Sequence, residues 1–323
     1  MMTTKEQVLY MLEEAPQGLS GQVLAMRLGV SRAAVWKAVR ALKAEGCTIE
    51  GVTNRGYRLI RGLDNLSAES ISGLCHTPVE VFETLPSTNI IGRERAVSGA
   101  PHGTVIIANT QSSGRGRRGR SFVSGGLGIY MSVVLYPDIA PADASLVTTA
   151  AAVAVRDAIE QVCGKECGIK WVNDLFLDGK KVCGILTEAV TDMESGEISG
   201  MVVGIGINFR GTENDFSPEL RNIAGFVMGP DEAPGPDRNA LAAQVTVNLL
   251  ERVAHMEDRQ FLEDYRCHSI VLGQRVEYMR GGHRFVGTAT GIDDNGALEV
   301  YRDDRVRETI SAGEVSIRPS RPH

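Results

Sequence analysis

The sequence predicts an α+β protein in three parts: a small helical unit closed by a hairpin, a central mixed sheet with helices, and a short all-β tail. Three observations predict it. Apolar residues recur at helical spacing up to Gly46, apolar runs of strand length then alternate with two long helical patterns, and after residue 271 only short alternating strands and tight turns remain. At 323 residues the chain exceeds one typical core, and 43% hydrophobic with 23% charged residues is a folded, globular balance rather than a disordered one.

Val8, Leu9, Met11 and Leu12 form the stripe of a first helix, which Pro16 and Gly18 close off. Ser20 caps a second helix with the stripe Val23, Leu24, Met26 and Leu28, ending at Gly29. Ser31 caps a third, SRAAVWKAVRALKAEG, with Val35, Val39 and Leu42 inward and Arg32, Lys37, Arg40 and Lys43 outward. CTIEGVTNRGYRLI reads as two strands turning at Asn54, Arg55 and Gly56. Two helices at turn distance, a basic second helix and a basic hairpin make a winged helix-turn-helix. Basic residues on one helix face are often only a solvated surface; here helix, turn and wing agree on DNA. Ser31, Arg32, Ala34, Lys37 and Arg40 are placed to meet the major groove and Arg55 to meet phosphate. Residues 1–64 carry nine Lys or Arg against six acids, a balance of +3 in a chain of net charge −6. So small an excess predicts weak binding by one unit and a dimer on a two-part operator.

In the middle, VEVFETL, TVIIANT, LGIYMSVVLYP, GIKWVNDLFLDG, KVCGILTEAV and ISGMVVGIGINF read as strands, and DASLVTTAAAVAVRDAIEQVCG and NALAAQVTVNLLERVAHMED as helices. Turns at DGK (178–180) and ESGE (194–197) predict largely antiparallel neighbours. GIGINF lacks a third glycine and a following helix, so it is not a dinucleotide fingerprint. From LGQRVEYMRGG onward, turns at Gly281–Gly282 and Asp293–Gly296 predict a small barrel.

Several classes are excluded. No run of about eighteen apolar residues occurs and the N-terminus is acidic and amphipathic, so neither a membrane span nor a signal peptide is expected. Six cysteines without a CxxC pair suit reduced thiols and a cytoplasmic protein; Cys163 and Cys167 have no histidine at ligand spacing, so structural thiols are favoured over zinc. Six dispersed histidines form neither HExxH nor a triad.

Polar clusters stand at the strand ends: Ser87, Thr88 and Asn89; Gln111 to Arg120; Lys170, Asn173 and Asp174; and Lys181. Taken singly, the first is most simply a helix cap and the others surface charges or a turn. The segment QSSGRGRRGR decides otherwise. Ordering about eight residues, three of them glycine, costs very roughly 8–16 kcal/mol, whereas a charge-assisted hydrogen bond returns on the order of 1.5–3. A lone carboxylate cannot hold such a loop; a polyphosphate with a second ligand can. The loop is therefore expected to be mobile when empty and folded over an anionic nucleotide when full, inside a neutral-to-acidic pocket. A solvated or RNA-binding arginine–glycine loop is the competing reading.

Gln111 with GRGRRGR, the upstream STN, the downstream KWVND, then GKKVCGIL and GIGIN, all behind a winged helix-turn-helix, resemble the bifunctional biotin-protein ligases and biotin operon repressors across essentially the whole chain. The resemblance implies a winged domain over 1–63, a catalytic domain over 64–270 similar to class II aminoacyl-tRNA synthetases, and an SH3-like barrel over 271–323. It implies ATP and Mg2+, formation of biotinyl-5′-AMP, and transfer of biotin to a lysine of the biotin carboxyl carrier protein of acetyl-CoA carboxylase. Repression by a homodimer holding the adenylate is implied with it; a non-catalytic biotin-sensing transcription factor is the alternative. By resemblance, Ser87, Thr88, Asn89, Gln111, Arg115, Gly116, Arg117 and Lys181 hold biotin. Arg117, Arg118, Arg120, Lys170, Asn173, Asp174 and Asn208 hold ATP or the adenylate, and Lys181, Arg115 and Lys170 assist the chemistry. Glu314 and Arg318 are further contacts by position. Val172 and Phe122 stand where many relatives carry proline and tryptophan, and both leave the polar groups intact.

Overall fold

A computed structural model describes residues 2–44, 47–52, 56–61, 65–140, 143–191, 198–230, 232 and 236–317. The chain divides into two compact units, Met1–Asn65 with Asp231–Asp237, and Leu66–Pro230 with Arg238–His323.

In the first unit, α1 (Thr4–Glu13) is started by a capping box between Thr3 and Glu6, and α2 (Gly21–Leu28) by the Ser20 hydroxyl, which accepts from the Val23 amide. Gly29, at φ 64°, ends α2 in the left-handed region that glycine tolerates best. Ser31 Oγ accepts from the Ala34 amide at the head of α3 (Arg32–Ala44). Val8, Leu12, Leu24, Val35, Val39 and Leu42 close a core of their own. β1 (Thr48–Val52) and β2 (Gly56–Arg61) pair antiparallel, and Leu19 joins Tyr57 through two backbone hydrogen bonds of 2.8 Å. Arg55, expected on the wing, lies outside the described residues.

The second unit runs α4 (Ala68–Cys75), β3 (Val79–Leu85), α5 (Thr88–Val97), β4 (Val105–Gln111), β5 (Leu127–Leu135), α6 (Leu146–Cys163), β6 (Gly168–Lys170), β7 (Asp174–Leu177), β8 (Lys180–Thr191), β9 (Ile198–Arg210), α7 (Arg238–Ala254) and α8 (Phe261–Cys267). Its seven strands stand in the order β3-β4-β5-β9-β8-β7-β6; β3 and β4 are parallel and the other neighbours antiparallel. The DGK turn joins β7 to β8 as expected, while 194–197 lie outside the described residues. Along β4, Val105 and Ile107 face the large core under α6 and α7, whereas Ile106 and Ala108 face a smaller one with Ala96 and Ile91 of α5. Covering both faces explains why β4 and β5 read as continuous apolar runs.

GIKWVNDLFLDG is not one strand. It folds back as β6 and β7, with Ile169 opposite Leu175. The residues between them are claimed by distant partners: the buried Trp171 indole donates to the Gly296 carbonyl at 2.9 Å, Asn173 Nδ2 to the Ile185 carbonyl at 2.8 Å, and the Tyr265 hydroxyl to the Val172 carbonyl at 3.0 Å. The Trp171–Val172 peptide is cis.

The tail forms a second sheet from β10 (Arg275–Arg280), β11 (His283–Ile292), β12 (Leu298–Arg302), β13 (Arg307–Ile310) and β14 (Val315–Ile317), antiparallel in the order β13-β12-β11-β10-β14. Its inward residues Val276, Ala289, Leu298 and Val315 join the same core as α6 and the central sheet. Arg318 lies outside the described residues. No helix among the described residues is long and apolar enough to cross a membrane.

Burial pushes the Tyr265 phenol well above its ordinary pKa, so it stays protonated and donates to Val172. Tyr265→Phe leaves that carbonyl without its donor and is expected to lower stability by about 1–3 kcal/mol in urea denaturation; an unchanged midpoint contradicts this account of the turn.

Candidate active site

The N-terminus of α5, the end of β4, the arginine loop, the β6–β7 turn, β8, β9 and the Gly313–Glu314 segment surround one open cleft. Of the expected small-molecule contacts, Ser87, Thr88, Asn89, Gln111 and Lys181 line it, as do Arg115, Gly116, Arg117, Arg118 and Arg120 of the loop and Lys170, Asn173 and Asp174. Clusters some 90 residues apart in sequence thus share one site.

One end is polar and, apart from the Glu188 carboxylate that Asn89 and Arg115 hold, uncharged. Ser87 occupies the N-cap position of α5 and is 2% exposed, yet its hydroxyl makes no cap bond, so the simple capping role does not account for it. Instead Gln111 Oε1 takes that role, accepting from the Thr88 amide at 2.8 Å, while Gln111 Nε2 donates to Ser124 Oγ at 2.8 Å. The fully buried Ser132 hydroxyl lies 2.8 Å from Thr88 Oγ1 and 2.6 Å from Asn89 Oδ1. Asn89 Nδ2 donates to Glu188 Oε2 at 2.8 Å and the Leu186 carbonyl at 3.2 Å. Asn89 therefore faces the cleft with its amide already engaged and acts as a bracket. Ser132 and Glu188 were not singled out by sequence; as isolated polar residues on apolar strands they carry no local signal.

The floor is made by glycines. A Cβ on Gly204 would sit 2.1 Å from Asn89 Oδ1, and one on Gly206 would sit 2.6 Å from Phe122 Cε1. This gives GIGIN a steric purpose: it lets the Asn89 amide and the Phe122 ring lie against β9. Phe122 also meets Tyr130 edge to face at 6.3 Å.

The other end is cationic. Six cations line the cleft (Arg115, Arg117, Arg118, Arg120, Lys170 and Lys181) against two carboxylates, Asp174 and Glu314. The expectation of a neutral-to-acidic pocket is thereby corrected: the domain's excess acids lie elsewhere, and the loop brings its charge inside. Arg115 pairs with Glu188 at 3.2 Å, Arg120 with Glu314 at 2.7 Å, and Arg117 donates to Asn173 Oδ1 at 3.1 Å. Burial, then the adjacent Arg118, push the Arg117 guanidinium below the usual arginine value, opposed by Asp174 and Glu314. Backbone bonds from Gly116 to Arg120 (2.7 Å) and from Phe122 to Gly114 (2.9 Å) shape the loop into a tight hairpin. Lys170 Nζ lies 5.5 Å from the Phe176 ring centre. Lys181 Nζ stands 2.7 Å from Asp174 Oδ1 but outside hydrogen-bonding angles, leaving that buried oxygen open to another partner.

Asn208 does not line the cleft: its side-chain amide donates to the Gly225 carbonyl at 3.1 Å, beside the backbone bond by which the Gly225 amide reaches the Lys181 carbonyl at 2.9 Å, so it braces Lys181 from behind. On the other unit, Ser31, Arg32, Lys37 and Arg40 are exposed on or at the head of α3, and Ala34 is half-buried toward the core. Gly206→Ala is expected to drive the Phe122 ring into the cleft and to cost about 1–3 kcal/mol by overpacking. A crystal structure and urea melt of the variant check this; an unmoved ring at unchanged stability contradicts it.

The biotin/lipoate A/B protein ligase family matches residues 81–208, an HTH domain matches 4–58, and the biotin protein ligase C-terminal domain matches 271–318. The bifunctional ligase/repressor BirA of Bacillus subtilis is 34% identical over 91% of this chain and 92% of its own length. The biotin–[acetyl-CoA-carboxylase] ligase of Mycobacterium tuberculosis is 31% identical over 73% of this chain and 88% of its own. Among solved structures, the biotin protein ligase of Aquifex aeolicus in complex with biotin and ATP shares the fold, with a TM-score of 0.61 over 75% of this chain and 99% of its own at 24% identity. An N-terminal helix-turn-helix, a ligase sheet with its cationic cleft and the C-terminal sheet, matched along nearly the full length of a bifunctional relative, place this chain in the family of bifunctional biotin ligase/repressors.

Proposed function

We propose that this protein activates biotin with ATP, passes it to a lysine of the biotin carboxyl carrier protein of acetyl-CoA carboxylase, and as the adenylate-bound homodimer represses transcription. The observation that carries the reading is the division of one cleft into an end without net charge, where Glu188 is balanced by Arg115, and a cationic end. Biotin divides the same way, with a neutral ureido ring at one end and a carboxylate at the other.

In this reading Ser87, Thr88 and Gln111 meet the ureido ring, and the carboxylate points toward Lys181 and Arg115. A carboxylate oxygen attacks the α-phosphorus of ATP, the bond to the bridging oxygen breaks, and pyrophosphate leaves. Two anions must approach and charge grows on the phosphoryl oxygens, so Lys181, Lys170 and the loop arginines lower the barrier by holding positive charge where it develops. The carrier lysine amine then attacks the acyl carbon and AMP leaves. No nucleophile from this chain is required, which suits a cleft without a cysteine, a histidine or a basic triad. Closure of the loop over the mixed anhydride keeps water out until the carrier arrives.

Magnesium fits as a companion of ATP. Among the described residues no group of three or more histidines, cysteines and carboxylates could cage a metal, but Asp174 Oδ1 is buried and its one near partner is the Lys181 ammonium. One carboxylate with phosphate oxygens and water is a normal magnesium environment; the ion would neutralise phosphate charge there. The free cysteines suit a cytoplasmic protein. The parts would fall at residues 1–63 for DNA, 64–270 for the ligase chemistry and 271–323 for nucleotide and carrier support.

Biotin-dependent exchange of labelled pyrophosphate into ATP tests the enzyme half. Exchange is expected from the wild type and a fall of about 10²-fold or more in Lys181→Ala. Folded wild-type protein without exchange would leave only a biotin-sensing regulator.

A further inference from the structure

Trp36 on α3 is used neither by the core nor by the charge pattern. It is 52% exposed, although an indole gains more than most side chains from burial. Arg32, Trp36 and Arg40 follow one another at i, i+4 and i+8 and form a single outward stripe, beside the core-facing stripe of Val35, Val39 and Leu42, which are 0%, 3% and 0% exposed. The Arg40 guanidinium carbon stands 4.8 Å from the centre of the Trp36 ring. That stacking holds two otherwise mobile side chains in one arrangement before any ligand arrives, so less rotamer freedom remains to be lost on binding.

An aromatic surface framed by cations suits a duplex: the cations take phosphates, and the ring needs something apolar on a base edge. In the major groove that feature is the C5-methyl group of thymine, which cytosine, adenine and guanine lack. Trp36 lies on the second turn of the helix that a helix-turn-helix inserts into the groove, where base edges are within reach. We propose that Trp36 reads thymine methyl groups in the operator, with Arg40 as the clamp that orients its ring. This rests on the DNA-binding reading of the N-terminal unit and adds to it a residue that helps to fix which sequence is bound.

The test uses the full chain with biotin and ATP present. Duplexes are selected from a random library, and fluorescence anisotropy then compares a selected duplex with the same duplex carrying deoxyuridine for thymine, a change that removes only the methyl groups. Wild type is expected to bind the deoxyuridine duplex about fourfold more weakly for each methyl it contacts. Trp36→Ala is expected to bind both alike, with the salt dependence of wild type because no phosphate contact is lost, and Trp36→Phe to keep part of the preference. Since the side chain is exposed, both variants should melt with the wild type. Retained discrimination by Trp36→Ala, equal weakening on every duplex, or no thymine preference in the wild type overturns the proposal. A wild type that selects no duplex overturns the DNA-binding reading and this proposal with it.

Discussion

Mutual repulsion among six cations gathered in one cleft is the constraint to which the rest of the ligase unit answers. Four of them are compensated separately: Arg115 by Glu188, Arg120 by Glu314, Lys181 by Asp174 and Arg117 by the neutral oxygen of Asn173. Such partly exposed pairs are worth about 0–1 kcal/mol apiece, enough to choose a resting position and too little to compete with a polyphosphate. The fold supplies the partners from far away. Glu188 comes from β8, Glu314 from the segment before β14, and Asn173 from a turn held by Trp171, Tyr265 and the tail. This is a physical reason for the C-terminal sheet to share a core with the ligase sheet: it carries a carboxylate that faces the loop.

Much of this was legible in the sequence. The apolar runs of β4, β5, β8 and β9 announce buried strands, the Ser20 and Ser31 caps with Gly29 announce a helix-turn-helix, and four arginines among three glycines announce an unusual loop. What escaped depends on distant contacts. Within GIKWVNDLFLDG only Asn173 and Asp174 hint at a turn, because the groups that fold it in two are Gly296, Ile185 and Tyr265. Glu188 and Ser132 become site residues only when β8 and β5 are set beside α5. Asn208 has the composition of a ligand contact, and its partner turns out to be the backbone behind Lys181. Even the sign of the pocket was obscured by the average charge, because a few loop residues outweigh a whole acidic domain when they are the ones facing inward.

The two units solve different electrostatic problems with the same residues. On α3 the cations stand outward with Trp36 among them, as the proposed extended polyanion requires; around the cleft they point inward, as the proposed compact one requires. Outward cations suit a long, repetitive partner that is held by number of contacts, whereas arginines and lysines braced by carboxylates and amides suit a small ligand that must be held at one distance for chemistry.

In the function proposed above, the loop guanidinium groups hold the acyl nucleotide far more strongly than the free vitamin. Calorimetric titration of wild type and an Arg115→Ala, Arg117→Ala, Arg120→Ala triple variant with biotin and with biotinyl-5′-AMP tests it most directly. The wild type is expected to prefer the adenylate by orders of magnitude and the triple variant to lose most of this preference, its affinity for the adenylate falling far more than its affinity for biotin. A preference of undiminished size in the variant would contradict it.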